Sequence, residues 1–213
     1  MDPAMAVLRS RAPSEELDYG FVMDCLKEYR FPRTKLTQLL KSKALVRIKK
    51  GLYVFGELFN RKPYSQETLA NIIYGPSYVS LEWALQKYGM IPERVEEVTS
   101  VTIKRSRMFT TPIGRFSYTH RPLLAYPVGI IRQQMSGYQS YLIATAEKAL
   151  VDQLVIRRGQ ISKISELKEI VFEDFRIEED DLQKLDIALL KKINDAYPHT
   201  IITHLLNLLS RAK

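Results

Sequence analysis

The pattern of apolar and polar positions is most regular between residues 32 and 55. Pro32 suits the first position of a helix, and Leu36, Leu39 and Leu40 recur at the spacing of one buried helical stripe. The opposite face holds hydrogen-bonding and cationic side chains, of the kinds that contact base edges and phosphates: Thr34, Thr37, Gln38 and Lys41, with Lys35 at the margin. The pattern predicts a short amphipathic helix with a basic, polar exposed face.

After Lys41 the apolar period changes from helical to alternating. Val46 and Ile48 point to one side of a predicted strand, and Arg47 and Lys49 point to the other. Gly51 can take a positive φ at a turn, and residues 52–55 return as a second strand. Helix, strand, turn and strand in this order are how a winged helix-turn-helix ends, so we predict an α+β chain with such a module at its N-terminus.

The segment before Pro32 supplies the rest of this module. Ser14 is a candidate N-cap for a helix over residues 14–29, and Glu15, Glu16 and Asp18 lie where the helix dipole favours negative charge. Residues 1–13 show no period, and we expect them to be disordered or the remnant of an expression tag. The predicted DNA-binding domain covers residues 1–60.

Residues 56–64 lack a pattern and predict a linker to a second domain, over residues 61–213. Helices are predicted from Ser65 to Tyr74 and from Leu81 to Tyr88. Strand-forming residues then indicate an antiparallel sheet, about residues 98–143, with turns at residues 112–114 and 136–137. The strands are predicted at 99–104, 108–111, 115–120, 128–132 and 139–143. The rest, 144–213, is predicted to be helical: one helix capped by Thr145, then helices at 163–175, 179–196 and 199–211.

Charge is unevenly distributed along the chain. The net charge is +8 over 213 residues, and residues 27–50 alone hold nine Lys and Arg against Glu28, a local excess of +8. Residues 163–213, with eight Lys and Arg against ten Asp and Glu, have a net charge of −2. Such a concentrated basic segment favours a nucleic-acid partner over a basic face kept for solubility.

A second basic segment lies in the predicted sheet. Lys104, Arg105 and Arg107 fall between two strands, and Arg115 lies on the next strand. Three interpretations fit this pattern: contact with a phosphate backbone, a surface for an acidic protein or RNA partner, and a charged loop without a partner. The sequence leaves all three open.

Apolar content and cysteine usage bound the class of protein. Hydrophobic residues make up 46% of the chain, enough for a packed core, yet none of its apolar runs reaches the ~20 residues of a membrane-spanning helix. The N-terminus lacks the apolar core of a signal peptide, so we expect a cytoplasmic protein. Cys25 lies on an apolar helical stripe and is expected in the core.

Sites for catalysis or cofactors are not indicated. His199 and His204 are poorly spaced as two ligands on one helical face, and neither a phosphate-binding glycine loop nor a GxSxG motif occurs. Glu147 and Asp152, on either side of Lys148, are expected to be surface charges on a helix. Glu178 to Asp181 are expected to be a solvated helix start. We predict that the chain is not an enzyme and has no cofactor or metal site.

Four segments together resemble the AbiEi family of antitoxins, the transcriptional regulators of bacterial type IV toxin-antitoxin pairs. They are LVRIKKGLYVF (45–55), YVSLEWALQKYGMIPE (78–93), VTSVTIKRSRMFTTPIGRFSYTH (98–120) and IATAEKALVDQL (143–154). The segments lie within residues 45–154, a stretch of about half of the chain, and the helices after residue 160 lie outside it. Of the four, the long central block makes the resemblance most specific.

The resemblance implies an N-terminal winged helix-turn-helix that binds operator DNA, often at inverted repeats. It also implies a C-terminal domain that counteracts a nucleotidyltransferase-like toxin. Mapped onto this chain, DNA contact falls on the predicted recognition helix and on the wing: Arg33, Thr34, Lys35, Thr37, Gln38 and Lys41, then Arg47, Lys49 and Lys50. The hypothesis is a repressor of its own operon that is also an antitoxin. The alternative is a protein-interaction module for an acidic partner, with little affinity for DNA.

Overall fold

The structure, a computed structural model, describes residues 2–135, 139–157, 159 and 161–211. The first elements are α1 (Pro3–Arg11), β1 (Glu16–Asp18), α2 (Tyr19–Cys25), α3 (Pro32–Lys41), β2 (Leu45–Lys49) and β3 (Leu52–Phe55). Then follow α4 (Gln66–Ile73), β4 (Ser77–Val79), α5 (Leu81–Lys87), β5 (Val98–Thr102), β6 (Arg107–Thr111), β7 (Gly114–His120), β8 (Ile130–Gln134) and β9 (Ser140–Ala144). The last are α6 (Ala146–Ile156), α7 (Ile164–Glu169), α8 (Glu179–Gln183), α9 (Ile187–Ala196) and α10 (Thr200–Arg211).

Helix α1 occupies a segment for which the sequence predicts disorder or a tag remnant. The carboxylate of Asp2 caps the helix by accepting a hydrogen bond from the Ala4 amide at 2.9 Å. Ala4, Met5 and Leu8 are fully buried, so the predicted disorder is wrong for residues 3–11. Apolar residues on the exposed side of α1 blur the helical period, which explains why the pattern gave no signal.

Arg9 joins α1 to β3. Its guanidinium pairs with Glu15 at 2.7 Å and lies 3.9 Å from the centroid of the Phe55 ring. Both side chains of the ion pair are nearly buried, so α1 is packed into the fold on both its apolar and its charged side.

The single helix predicted over residues 14–29 is also wrong. Residues 16–18 form β1, which pairs antiparallel with β3, and the helix begins only at Tyr19. Its cap is Asp18, which accepts from the Phe21 amide at 2.8 Å, whereas the Ser14 hydroxyl donates to the Glu16 carbonyl. Pairing with β3 satisfies the backbone groups of this segment and outweighs its local helix signals.

The helix and hairpin predicted over residues 32–55 are present. Helix α3 begins at Pro32 and buries Leu36 and Leu39, and β2 and β3 form an antiparallel pair. Among the described residues the small sheet has three strands in the order β1-β3-β2. The register shifts between Arg47 and Lys49, which is a β-bulge.

Strand β3 separates two apolar cores. Tyr53 and Phe55 pack with α1, α2 and α3 in the smaller core, whereas Leu52 and Val54 pack in the larger core with α4, the second sheet and the C-terminal helices. All four residues of β3 are buried, as expected for a strand covered on both faces. The division of the chain near residue 60 remains a prediction, since this strand belongs to both cores.

The larger sheet is mixed, and the predicted antiparallel arrangement is wrong. Among the described residues it has six strands in the order β6-β7-β5-β4-β9-β8. The pairs β5·β7 and β4·β9 are parallel, and the others are antiparallel. Strand β4, which the sequence pattern does not predict, has only three residues and is buried between β5 and β9. The predicted turn at residues 136–137 lies outside the described residues.

The helices after residue 144 contribute apolar side chains to the larger core, and α6 packs on β9 of this sheet. Thr145 caps α6 as predicted, since its hydroxyl accepts from the Lys148 amide at 3.3 Å. The helix predicted over residues 179–196 is divided into α8 and α9, because Asp186 caps a new helix through the amide of Ala188. The helix predicted at 163–175 is α7 followed by a π-helical turn. Among the described residues, no helix has the length and apolar character needed to cross a membrane.

Candidate nucleic-acid interface

Helix α3 presents most of its predicted polar face to solvent. Arg33, Thr34, Thr37, Gln38 and Lys41 are exposed, since burial of Leu36 and Leu39 turns the opposite side outward. The Thr37 hydroxyl donates to the carbonyl of Arg33 at 3.0 Å, one helical turn earlier. Among the described residues, neither Arg33 nor Lys41 has an acidic partner within ion-pairing distance, so both charges are available to an anionic ligand.

Lys35 differs from the other cations of this helix. Its side chain is 17% exposed, and its ammonium pairs with the Asp2 carboxylate at 2.7 Å. The hydrogen bond from Lys35 lowers the pKa of Asp2, which keeps the pair charged at neutral pH. Lys35 therefore joins α1 to α3, and its charge is largely neutralised within the protein.

The hairpin provides two exposed cations beside α3. Arg47 lies on β2 with its guanidinium 6.0 Å from the centroid of the Tyr53 ring, and Lys50 lies at the exposed turn next to Gly51, whose φ is +87°. Cation-π contact of this kind orients a guanidinium without cancelling its charge. Of the predicted wing residues, Arg47 therefore lies beside α3, where it lines a groove with Lys41, and Lys50 is exposed at the turn of the hairpin.

Lys49 is directed away from this surface. Because of the β-bulge it pairs with Leu52, on the side of the larger core, rather than lying beside Arg47. Its ammonium donates to the carbonyls of Ile72 and Ile73 at the C-terminus of α4, where the helix dipole favours a cation. Burial and the nearby charge of Lys104 lower the pKa of Lys49. The predicted phosphate contact of Lys49 would have to break these hydrogen bonds.

A groove of about 710 Å³ runs between α3 and the hairpin. Lys41, Lys43 and Arg47 line it, together with Pro112 from the turn between β6 and β7. Lys43 is a cation that the site prediction omitted, although it belongs to the basic run. Its backbone position is fixed by Gly56, because a Cβ on Gly56 would lie 1.9 Å from the Lys43 carbonyl oxygen.

The second basic segment is exposed but dispersed. Lys104 donates to the Gly75 carbonyl, near Lys49, and Arg115 lies 3.7 Å from Glu97. Arg107 lies with its guanidinium 5.1 Å from the Phe109 ring centroid, and Arg105 is exposed. Pro112 is the part of this hairpin found at the groove beside α3, so these four cations extend away from the groove lining.

Sequence reasoning missed a buried ionic cluster on α6. Asp152, expected at the surface, is only 2% exposed, and its carboxylate lies 2.9 Å from the ammonium of Lys148, which is 1% exposed. The hydroxyls of Tyr78 and Ser80 each donate to the same Asp152 oxygen at 2.8 Å. Glu147 is also buried and accepts from the backbone amide of Asp186 at 2.9 Å. The expectation of surface charges is therefore wrong.

This cluster is structural rather than a binding site. Burial, with the adjacent Asp152 charge, raises the pKa of Tyr78 well above its usual value, so the phenol remains a hydrogen-bond donor. The neighbouring cavity, lined by Arg121 and Lys148, measures about 10 Å³, which is room for one water molecule at most.

Among the described residues, no three His, Cys, Asp or Glu side chains are grouped so that they could hold a metal ion. No protein-family model matches the sequence, and no curated protein matches it significantly.

Proposed function

We propose that the chain is a cytoplasmic, non-enzymatic transcriptional regulator that binds operator DNA through an N-terminal winged helix-turn-helix. In this proposal α3 is the recognition helix and the hairpin of β2 and β3 is the wing. The observation that supports it best is the common placement of exposed cations and hydrogen-bonding groups. Arg33, Gln38 and Lys41 lie on α3, and Arg47 and Lys50 lie on the adjoining hairpin.

The two groups of side chains would act differently on DNA. A recognition helix places hydrogen-bonding side chains such as Gln38 against base edges in the major groove, whereas wing cations neutralise flanking phosphates. Substitution of Gln38 should therefore relax sequence preference, and substitution of Arg47 or Lys50 should weaken binding to all sequences alike.

A salt titration tests the wing. We expect the double variant Arg47→Ala/Lys50→Ala to bind the promoter of the chain's own gene more weakly than the wild type does. The slope of log affinity against log salt should also fall, by about 0.9 for each phosphate that the wing no longer neutralises. The charge-matched control is Lys191→Ala/Lys192→Ala, since both lysines are exposed on α9. An unchanged affinity and slope in the wing variant would refute the assignment.

Lys49 provides an internal comparison. Its hydrogen bonds to α4 predict that Lys49→Met lowers the melting temperature and leaves the salt slope as in the wild type. A reduced slope without loss of stability would show instead that Lys49 leaves α4 and contacts phosphate.

We propose further that the regulator represses its own toxin-antitoxin operon and that residues 61–213 counteract a nucleotidyltransferase-like toxin. Support for this part comes from the sequence resemblance to AbiEi antitoxins. If the neighbouring downstream gene encodes a nucleotidyltransferase-like toxin that stops growth, co-expression of this chain should restore growth. Variants of Arg33 and Lys41 should still protect the cells but should no longer repress the operon. A chain that gives no protection would contradict the antitoxin role.

The exposed cations of the second basic segment favour one alternative, a module that binds an acidic protein. The two functions differ in their response to salt. A partner complex that survives high salt, in a chain without measurable DNA binding at low salt, would favour the alternative.

A further inference from the structure

A second groove, of about 590 Å³, lies at the N-terminal end of α3. Its lining combines apolar and aromatic side chains with three cations: Tyr19, Met23, Phe31 and Pro32, then Lys27, Arg30 and Arg33. Among the described residues that line it there is no carboxylate. A ligand of this groove must therefore offer apolar contact and tolerate or supply negative charge, as the edge of a DNA duplex does.

Phe31 departs from the local rules for helix starts. It occupies the N-cap of α3, where Ser, Thr, Asp and Asn are preferred, and within the described structure its side chain caps no helical amide. Its ring is 63% exposed, so it contributes little to either core. A residue that breaks a local rule without a gain in packing is expected at a functional position.

The surroundings of Phe31 hold the ring at this position. The Arg30 guanidinium lies 5.2 Å from the ring centroid, and Pro32 fixes the backbone on its other side. The ring thus lies beside a cation and projects from the N-cap, directly before the first residue of the helix. In helix-turn-helix proteins the first residues of the recognition helix are those that contact base edges.

We propose that Phe31 contacts the C5-methyl group of a thymine at the edge of the half-site. This inference rests on the proposed function, since it assumes that α3 enters the major groove. A phenyl ring cannot hydrogen-bond to a base edge, and the thymine methyl is the apolar group that the major groove displays. Arg30 and Arg33 would hold the phosphates on either side of that base.

The test removes the methyl group without changing base pairing. The operator is first located by footprinting on the promoter of the chain's own gene. In synthetic duplexes of that operator, each thymine is then replaced in turn by deoxyuridine, and affinity is measured by fluorescence anisotropy. We expect one position per half-site at which wild-type binding weakens about fourfold, the loss for one buried methyl-sized group. The Phe31→Ala variant should bind thymine and deoxyuridine at that position equally. Phe31→Leu, which keeps an apolar side chain, should retain part of the discrimination.

The matched control is Leu58→Ala, because Leu58 is 92% exposed and does not line the groove. It should discriminate thymine from deoxyuridine as the wild type does. Equal binding of both bases by the wild type would overturn this inference and leave the proposed function intact. The inference would also be overturned if Phe31→Ala lowered DNA affinity by the same factor whichever base is replaced, since that would indicate a ring wedged between base steps. It would be overturned too if Phe31→Ala weakened only the association with the toxin. Absence of any DNA binding at low salt would remove the proposed function and the inference together.

Discussion

The buried cluster on α6 predicts a large loss of stability for Asp152→Asn. The substitution keeps the size of the side chain but removes the charge that faces Lys148, whose side chain is 1% exposed. Among the described residues, the Lys148 ammonium otherwise donates only to the Ala125 carbonyl, at 2.6 Å. It also places an amide nitrogen near the hydroxyls of Tyr78 and Ser80, which now share one carboxylate oxygen.

The expected magnitude follows from burial. Breaking a buried ion pair by removing one partner costs about 3–5 kcal/mol, because the remaining charge is left without water or a counter-ion. For a domain of this size each kcal/mol lowers the melting temperature by about 2–4 °C, so we expect a shift on the order of 10 °C. Urea unfolding followed by circular dichroism would give the free energy of unfolding directly.

An exposed ion pair supplies the control. Asp181 and Lys184 lie 2.7 Å apart, but the lysine side chain is 74% exposed, so Asp181→Asn should destabilise the fold far less than Asp152→Asn. The double variant Lys148→Met/Asp152→Asn removes both charges of this pair and should recover part of the loss, since Arg121, 4.0 Å from the Asp152 carboxylate, still loses its counter-ion. If Asp152→Asn cost no more than Asp181→Asn, Lys148 would have water or another partner in solution, and the reasoning from burial would be refuted.

Three further substitutions test other parts of the fold by urea unfolding. Leu8→Ala should lower the free energy of unfolding by about 2–5 kcal/mol, because the side chain is fully buried. Val7→Ala, on the exposed side of α1, should lower it by less than about 0.5 kcal/mol. Gly56→Ala should cost about 2 kcal/mol through the clash with a backbone carbonyl, and Gly159→Ala, with nothing within 4 Å, should not. Burial raises the pKa of Glu16, so its stabilising contribution is present below the unfolded pKa and is lost as pH rises through the folded one. Glu16→Gln should therefore exceed the wild type in stability at pH 7, with the difference vanishing below about pH 4.

Elements that depend on local pattern could be predicted from the sequence. The stripe of Leu36 and Leu39 requires only that one side of α3 be covered, and the alternation after residue 45 requires only that β2 be covered on one side. These two requirements are the same whichever element covers the apolar side. Pro32 then fixes where the helix begins, since its ring favours the first helical position.

Features that depend on distant partners could not be predicted in the same way. A Lys and an Asp four residues apart look identical on a buried and on an exposed helix, and here Tyr78 and Ser80, more than 70 residues away in sequence, decide the outcome. The strand β7 likewise pairs antiparallel with its neighbour in sequence, β6, and parallel with the more distant β5, which local pattern does not reveal. Among the site residues, the position of Lys49 depended on a single bulge that alternation cannot reveal.

The bulge and β3 together decide how the proposed DNA-binding surface is held. Leu52 and Val54 pack in the larger core, and Lys49 donates to carbonyls at the end of α4, so the hairpin is anchored to the second part of the chain through both apolar and polar contacts. The opposite face of β3 supports α3 through the smaller core. A fragment ending near residue 60 would expose the apolar face of β3 and leave Lys49 without its partners. The surface formed by α3, Arg47 and Lys50 therefore depends on contacts from the second part of the chain.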